Sequence, residues 1–387
     1  MSFVDELAAD SAALKEQGRL RVLREITPLP GGRARFGGRE YCNLSGNDYM
    51  GISGDFELRQ RFYEQYAADL STPELAQSSA SSRLLTGNTP AYVRLEATLS
   101  QLYGGRAALV FNSGYHANIG ILPALAGAGD LILSDKLNHA SIIDGLRLGD
   151  AEFRRYPHLD LERLERILAD KRAGFRRVFL VTESVFSMDG DLADLRRLVE
   201  LKRKYDAILV VDEAHAVGVR GPLGTGLAAE MGVAAEIDVL IGTFGKAFGS
   251  TGAYAVMEPQ VREYLVNHMR PLIFTTGLPP VVLNWSDYVL KHVAGLDEKR
   301  AKLRRMGERL RTLFRNAGLK TAGDSQIVPL VIGEDRDAEC AAERFLSAGF
   351  LVFPIRPPTV PAHTSRLRFS LSAALDESEI ERVEQLL

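Results

Sequence analysis

The sequence predicts an α/β protein: a large domain with a mostly parallel sheet flanked by helices, plus a small C-terminal α+β domain. Three observations carry that expectation. Between about residues 105 and 256, short aliphatic runs alternate with amphipathic stretches: AALVF (107–111), LILS (131–134), RVFLVTE (177–183), AILVVDE (207–213), VLIGTF (239–244) and AYAVM (253–257). Apolar β-branched runs separated by helical patterns signal a sheet covered on both faces. The last hundred residues alternate differently, and 387 residues are more than one ordinary core holds.

In chain order, residues 1–45 read as a polar N-terminal helical segment (about 2–25), a Gly31-Gly32 turn and a hairpin through Gly37-Gly38. Residues 46–280 form the large α/β domain. Residues 281–387 hold a linking helix, whose 3.6-residue pattern runs from about Pro279 to Asn316, and the C-terminal unit. That unit comprises IVPLVIG (327–333), a helix through Cys340, LVFPIR (351–356), RLRFSLS (366–372) and a final helix from about Glu377. Its strand-rich alternation suits an antiparallel sheet. The last helical pattern reaches Leu387, which implies that a few native residues follow.

Composition excludes several classes. With 46% apolar and 25% charged residues, the chain is not a disordered, collagenous or coiled-coil sequence. A net charge of −3 supplies no overall basic field for nucleic acid or anionic membrane. No apolar run approaches the ~18 residues that span a bilayer. The N-terminus lacks the basic and apolar regions of a secretory signal. Cys42 and Cys340 lie far apart with no CxxC, which suits a reducing compartment and no structural metal. A cytoplasmic enzyme is expected.

The unusual residues gather at strand ends, where open α/β sheets bind ligands. Asp212 and His215 follow AILVV; a carboxylate there needs a partner, and its plainer role would be to cap the next helix. Lys246 follows VLIGTF among Gly242, Gly245, Gly249 and Gly252, without the spacing of a P-loop. A solvated surface lysine is the ordinary alternative, but confinement would favour its neutral, nucleophilic amine. Ser113-Gly114-Tyr115 stands between a strand and a helix, where N–H groups form an anion site. His139 occupies another such junction, where a lone histidine is more often structural. A phosphate cradle, a carboxylate, an amine and an imidazole together match the needs of pyridoxal 5′-phosphate, PLP.

Six stretches carry a resemblance: SRLLTGN (82–88), FNSGYHAN (111–118), SDKLNHASIIDG (134–145), TESVFSMDGDLADL (182–195), VDEAHAVGVRGPLGTG (211–226) and TFGKAFGSTGA (243–253). Together they resemble the α-oxoamine synthases, fold-type I PLP-dependent transferases that condense an amino acid with an acyl thioester and release CO₂. The resemblance runs from about residue 40 to the end. IRPPTVPAHTSRLRFSLSA (355–373) is similar to the biotin-pathway branch, implying L-alanine and a pimeloyl thioester, on CoA or acyl carrier protein, as substrates. Other branches, such as one joining glycine to acetyl-CoA, share the chemistry; an aminotransferase or a non-catalytic protein of the same fold are more distant readings.

The resemblance implies roles for matching positions. Lys246 would carry the cofactor, Asp212 would keep its ring nitrogen protonated, His215 would bond its phenolic oxygen and His139 would stack on the ring. Ser113, Gly114, Tyr115 and Thr243 would surround the phosphate, with Ser187 near the cofactor oxygen. Thr275 and Thr276 would reach the cofactor of a neighbouring subunit, because family sites are shared in a homodimer. Arg356 would bind the amino-acid carboxylate, with Asn47 nearby. Two departures bear on the acyl substrate rather than the cofactor: His363 stands where the branch commonly has glycine, and SSASSR replaces a glycine-rich run.

Overall fold

A computed structural model describes residues 2–17 and 19–387, which divide into two compact units. One comprises the N-terminal segment to Gly46, Met188–Gly190 and Arg304–Leu387; the other comprises Asn47–Ser187 and Asp191–Leu303. These boundaries differ from those drawn on the sequence: residues 281–303 belong to the larger unit, and the N-terminal segment belongs with the C-terminal one.

The N-terminal part of the smaller unit holds α1 (Phe3–Glu16), β1 (Ile26–Leu29), β2 (Arg33–Phe36) and β3 (Arg39–Asn43). The helix stops at Glu16, not near residue 25, and it opens on a capping box in which Ser2 and Asp5 exchange hydrogen bonds. The turns at Gly31-Gly32 and Gly37-Gly38 close successive antiparallel hairpins.

The larger unit follows with α2 (Phe56–Glu64), α3 (Pro90–Leu102), β4 (Ala107–Phe111), α4 (Gly114–Leu125), β5 (Asp130–Asp135), α5 (Ala140–Leu148) and β6 (Glu152–Tyr156). It continues through α6 (Leu161–Lys171), β7 (Arg177–Glu183), α7 (Leu195–Tyr205), β8 (Ile208–Asp212), α8 (Leu227–Glu230), β9 (Val239–Thr243) and β10 (Ala253–Met257). Then come α9 (Pro259–His268), α10 (Arg270–Ile273) and α11 (Pro280–Ala294). Its seven-stranded sheet has the order β4-β10-β9-β8-β7-β5-β6 and is parallel except for β10, which runs against both neighbours. The apolar runs fill this sheet because both faces are covered; Ile121 and Ile142 from α4 and α5 pack with Phe179, Val181, Val210 and Ile241 in one buried cluster. Parallel strands put their last residues on one edge, so Asp135, Glu183, Asp212 and Thr243 terminate β5, β7, β8 and β9 side by side.

The pattern read as one helix from Pro279 to Asn316 is two, α11 and α12 (Asp297–Asn316), because the chain leaves the helix at Gly295. The smaller unit then adds β11 (Lys320–Thr321), β12 (Ile327–Gly333), α13 (Asp335–Ser347), β13 (Phe350–Leu351), β14 (Pro354–Ile355), β15 (Ser365–Ser370) and α14 (Ser378–Glu384). LVFPIR is not one strand: β13 pairs in parallel with β3, whereas β14 pairs with β15 in an antiparallel sheet of order β11-β12-β15-β14. The last helix ends at Glu384 rather than running through Leu387. No helix among the described residues is long and apolar enough to cross a membrane.

Candidate active site

Asp212 is the last residue of β8 and is buried. Its carboxylate is caged: Asn118 Nδ2, from α4, donates to Oδ2 at 2.8 Å, and the Ala214 N–H donates to Oδ1 at 2.8 Å. Asn118 also donates to Ser141 Oγ at 3.0 Å. Two donors make burial of the charge tolerable and fix where it points. Glu183 ends β7 directly beside it, in register with Asp212 across the parallel pair. Burial, and then the like charge of Asp212, push the Glu183 carboxyl well above the usual carboxylate range. One Glu183 oxygen accepts the His139 N–H at 2.6 Å.

His139 is the N-cap of α5, and its Nδ1 lies 2.7 Å from Ser141 Oγ and accepts the Ser141 N–H at 3.2 Å. Those contacts leave the ring hydrogen on Nε2. The residue is open to solvent by area, yet protein packed around the ring lowers its pKa, keeping the imidazole neutral. The charge of Asp212 opposes that lowering and the charge of Lys246 adds to it.

Lys246 follows β9, with Nζ 2.7 Å from His215 Nε2. His215 Nδ1 lies 2.7 Å from the Tyr49 hydroxyl, which donates to Asn47 Oδ1 at 3.0 Å. Thus Asn47, Tyr49, His215 and Lys246 form one continuous polar chain.

The anion site is the start of α4. Ser113 is its N-cap, and its hydroxyl is committed to His116, accepting the backbone N–H at 3.1 Å and meeting Nδ1 at 2.8 Å. The first-turn N–H groups of Gly114 and Tyr115 have no acceptor within the helix and project from its positive end. The Tyr115 side chain turns away, donating to Asp144 Oδ2 at 2.7 Å. A Cβ built on Gly114 would meet only Thr243, at 4.0 Å, so the space over the helix start is open. The Thr243 hydroxyl donates to Gly252 O at 3.1 Å and accepts the Gly245 N–H at 3.2 Å. This set fits PLP: a helix N-terminus with room for a phosphate, a fixed carboxylate for a ring nitrogen, and an amine for an aldehyde. Among the described residues no group of three His, Cys, Asp or Glu is placed to hold a metal ion.

The remaining sequence-derived positions belong to other segments of the chain. Thr275 and Thr276 follow α10 and are tied to Asn112, whose Nδ2 donates to Thr276 O at 2.8 Å and to Thr275 Oγ1 at 3.4 Å. Ser187 is half-buried on the loop after β7. Arg356 belongs to the smaller unit, just past β14, and its guanidinium pairs with Glu339 of α13. Sequence reasoning passed over Tyr49, Asn118, Ser141 and Glu183. Three of them stand inside the motifs that carried the resemblance, and Tyr49 is two residues from Asn47, so the signal was adjacent in each case.

The family model for class I and II aminotransferases matches residues 39–386. The 8-amino-7-oxononanoate synthase of Chlorobaculum parvum is 51% identical over 381 residues, covering 98% of this chain and 97% of its own. The chain belongs to the α-oxoamine synthases, within the class I and II aminotransferases. Among solved α-oxoamine synthases, serine palmitoyltransferase from S. paucimobilis with bound PLP–myriocin superposes with a TM-score of 0.90 at 29% identity, covering 100% of this chain and 97% of its own. An 8-amino-7-oxononanoate synthase from Francisella tularensis gives 0.75 at 27%, covering 89% and 96%. The fold is that of the fold-type I PLP-dependent transferases.

Proposed function

We propose that this α-oxoamine synthase is an 8-amino-7-oxononanoate synthase. It condenses L-alanine with a pimeloyl thioester, on CoA or acyl carrier protein, to 8-amino-7-oxononanoate, CO₂ and free thiol. The observation that carries the chemistry is the Lys246–His215 contact at the strand edge where the caged Asp212 carboxylate ends the adjacent strand. Full-length identity of 51% to a relative of that name carries the substrate.

When bound, PLP supplies an electron sink for the carbanion at the alanine Cα. Lys246 is the group that holds it and that takes and returns the Cα proton. Asp212, pinned by Asn118 and Ala214, keeps a negative charge against the ring nitrogen, so the sink stays cationic. His139, neutral and held by Ser141 and Glu183, supplies a flat apolar face. The N–H groups of Gly114 and Tyr115, with Thr243 beside them, neutralise the phosphate. Ser187 serves the cofactor oxygen, Arg356 binds the amino-acid carboxylate, and Asn47 lies at the substrate end.

The working assembly is a cytoplasmic homodimer with shared sites, in which Thr275 and Thr276 serve the partner's phosphate. Exposed Leu85 (81%) and Phe274 (70%) near these threonines support a covered face, since large apolar side chains rarely stand open in groups. The test is substrate pairing: purified protein with PLP is offered L-alanine, glycine or L-serine, each with pimeloyl-CoA, acetyl-CoA or palmitoyl-CoA, and CO₂ release is followed. Fastest turnover with alanine and pimeloyl-CoA supports the reading. Preference for glycine or serine keeps the family and overturns the substrate.

A further inference from the structure

Lys246 ends a chain of side chains whose far members have a consequence for proton transfer. Tyr49 is 0% exposed and His215 is 5% exposed, so their hydrogen bonds have no solvent substitute. The loop that presents Tyr49 is held by Asp48, whose carboxylate accepts the Ile52 N–H at 2.8 Å and the Ser53 N–H at 3.0 Å. The Tyr49 N–H also closes onto Asn47 O at 2.9 Å.

A phenol has one proton to donate, and Asn47 Oδ1 receives it at 3.0 Å. Toward His215 Nδ1, 2.7 Å away, the Tyr49 oxygen therefore acts as acceptor, and Nδ1 must carry the hydrogen. A neutral imidazole with Nδ1–H presents a bare lone pair at Nε2. That lone pair faces Lys246 Nζ at 2.7 Å.

We propose that Tyr49, oriented by Asn47, is a positioning residue that locks His215 in the Nδ1–H tautomer and so makes Nε2 the acceptor of a proton from Lys246. The N–H bond of the lysine ammonium breaks, its electron pair stays on Nζ, and the proton forms a bond to Nε2. The imidazolium produced keeps its Nδ1–H on Tyr49, and Lys246 is left as the neutral amine that attack on an aldehyde requires. The Lys246 charge also acts on Glu183, whose carboxyl it favours in the ionised form, and on His139, whose ring it favours in the neutral form. The inference rests on the reading of Lys246 as the point where PLP attaches.

The test uses the full-length chain, ¹⁵N-labelled at histidine, before and after loading with PLP, with His215→Asn to assign the signals. Before loading, the His215 Nδ1 signal should be of the protonated type and Nε2 of the bare type. In Asn47→Ala, a change at a position exposed by area whose folding is checked by circular dichroism, the Tyr49 proton turns to Nδ1 and the tautomer reverses. In Tyr49→Phe the two tautomers mix, PLP uptake at about pH 7 slows at least about tenfold, and the pH midpoint of uptake moves upward. Hydrogen on Nε2 in the wild type, an unchanged tautomer in Asn47→Ala, or a Tyr49→Phe uptake profile superimposed on the wild type would each overturn the proposal. A wild-type chain with the Nδ1–H tautomer that never acquires PLP absorbance upholds the lock and removes the cofactor assignment instead.

Discussion

Two histidines stand just past the carboxyl ends of strands in the same sheet, and their partners differ in kind. His215, beyond β8, lies between a phenol and an amine. His158, beyond β6, lies between two carboxylates, with Nδ1 2.9 Å from Asp135 Oδ1 and Nε2 3.2 Å from Asp191 Oδ2. Burial opposes a charge on His158, but the hydrogen bonds to Asp135 and Asp191 outweigh it and push the ring from 6.5 up to about 9. That ring also packs edge-on against Phe186, centroids 4.4 Å apart. At neutral pH it is a fixed cation that clamps Asp191 to the end of β5. His215 instead faces a titratable amine across a short hydrogen bond. A strand end gives a histidine its place, and only a partner able to exchange a proton makes that place a reaction site.

The largest effect that would break this contrast is expected at Lys246. Lys246→Ala removes the only amine in the chain of contacts, and turnover of L-alanine and pimeloyl-CoA should fall at least about 10³-fold, the scale of a lost general base. The visible band of bound PLP should disappear with it; a variant within tenfold of the wild-type rate would refute the role.

His158→Gln tests the other side of the contrast through stability. A histidine whose pKa is raised on folding stabilises fully below its unfolded value near 6.5, and that stabilisation fades as pH rises through about 9. The interval corresponds to at most about 3 kcal/mol. His158→Gln should lower the urea midpoint at pH 6 and leave it nearly unchanged at pH 10, with kcat at neutral pH falling far less than in Lys246→Ala. Equal losses at both pH values would show that shape, not charge, is what the clamp supplies.

Asn118→Ala sharpens the contrast from within the site. It strips one donor from the buried Asp212 carboxylate, a loss of about 1–3 kcal/mol, or about 5- to 150-fold. Weaker PLP binding by that factor, measured by equilibrium dialysis, is the expected result; unchanged binding would mean that Ala214 alone holds the carboxylate.

The legible parts of this molecule are those whose signal is local. β5, β7, β8 and β9 stand where their aliphatic runs predict, because burial on both faces demands an apolar residue at each position. β6, with sequence EFRRY, went unread because it is the edge strand and has only Tyr156 buried. The helix from Pro279 read as continuous because the 3.6-residue pattern resumes after Gly295, and periodicity does not report so short an interruption. Within the site, Lys246, Asp212, His215 and His139 carry unusual chemistry next to strand ends and could be singled out. Asn118 and Tyr49 could not, since an amide and a phenol acquire meaning only from partners 94 and 166 residues away. Ser113 reads with Gly114 and Tyr115 as an anion site through backbone N–H groups, and its side chain accepts the His116 N–H at the start of α4.

The smallest effect belongs to a third histidine paired with a carboxylate. His363 Nδ1 lies 2.7 Å from Glu334 Oε1, a shorter contact than either made by His158, yet the two side chains are 78% and 63% exposed. Solvent screens such a pair, and ordering two mobile side chains consumes most of what attraction remains. The backbone at His363 has φ +60°, the left-handed region where a Cβ is strained and glycine is not. His363→Gly therefore exchanges a weak contact for relief of that strain, against the greater freedom glycine has in the unfolded chain. The urea midpoint should stay level or rise slightly, with no change in its dependence on pH between 6 and 10. A fall as large as that of His158→Gln would mean that pairing itself, and not the burial of the pair, sets what a histidine–carboxylate contact is worth in this protein.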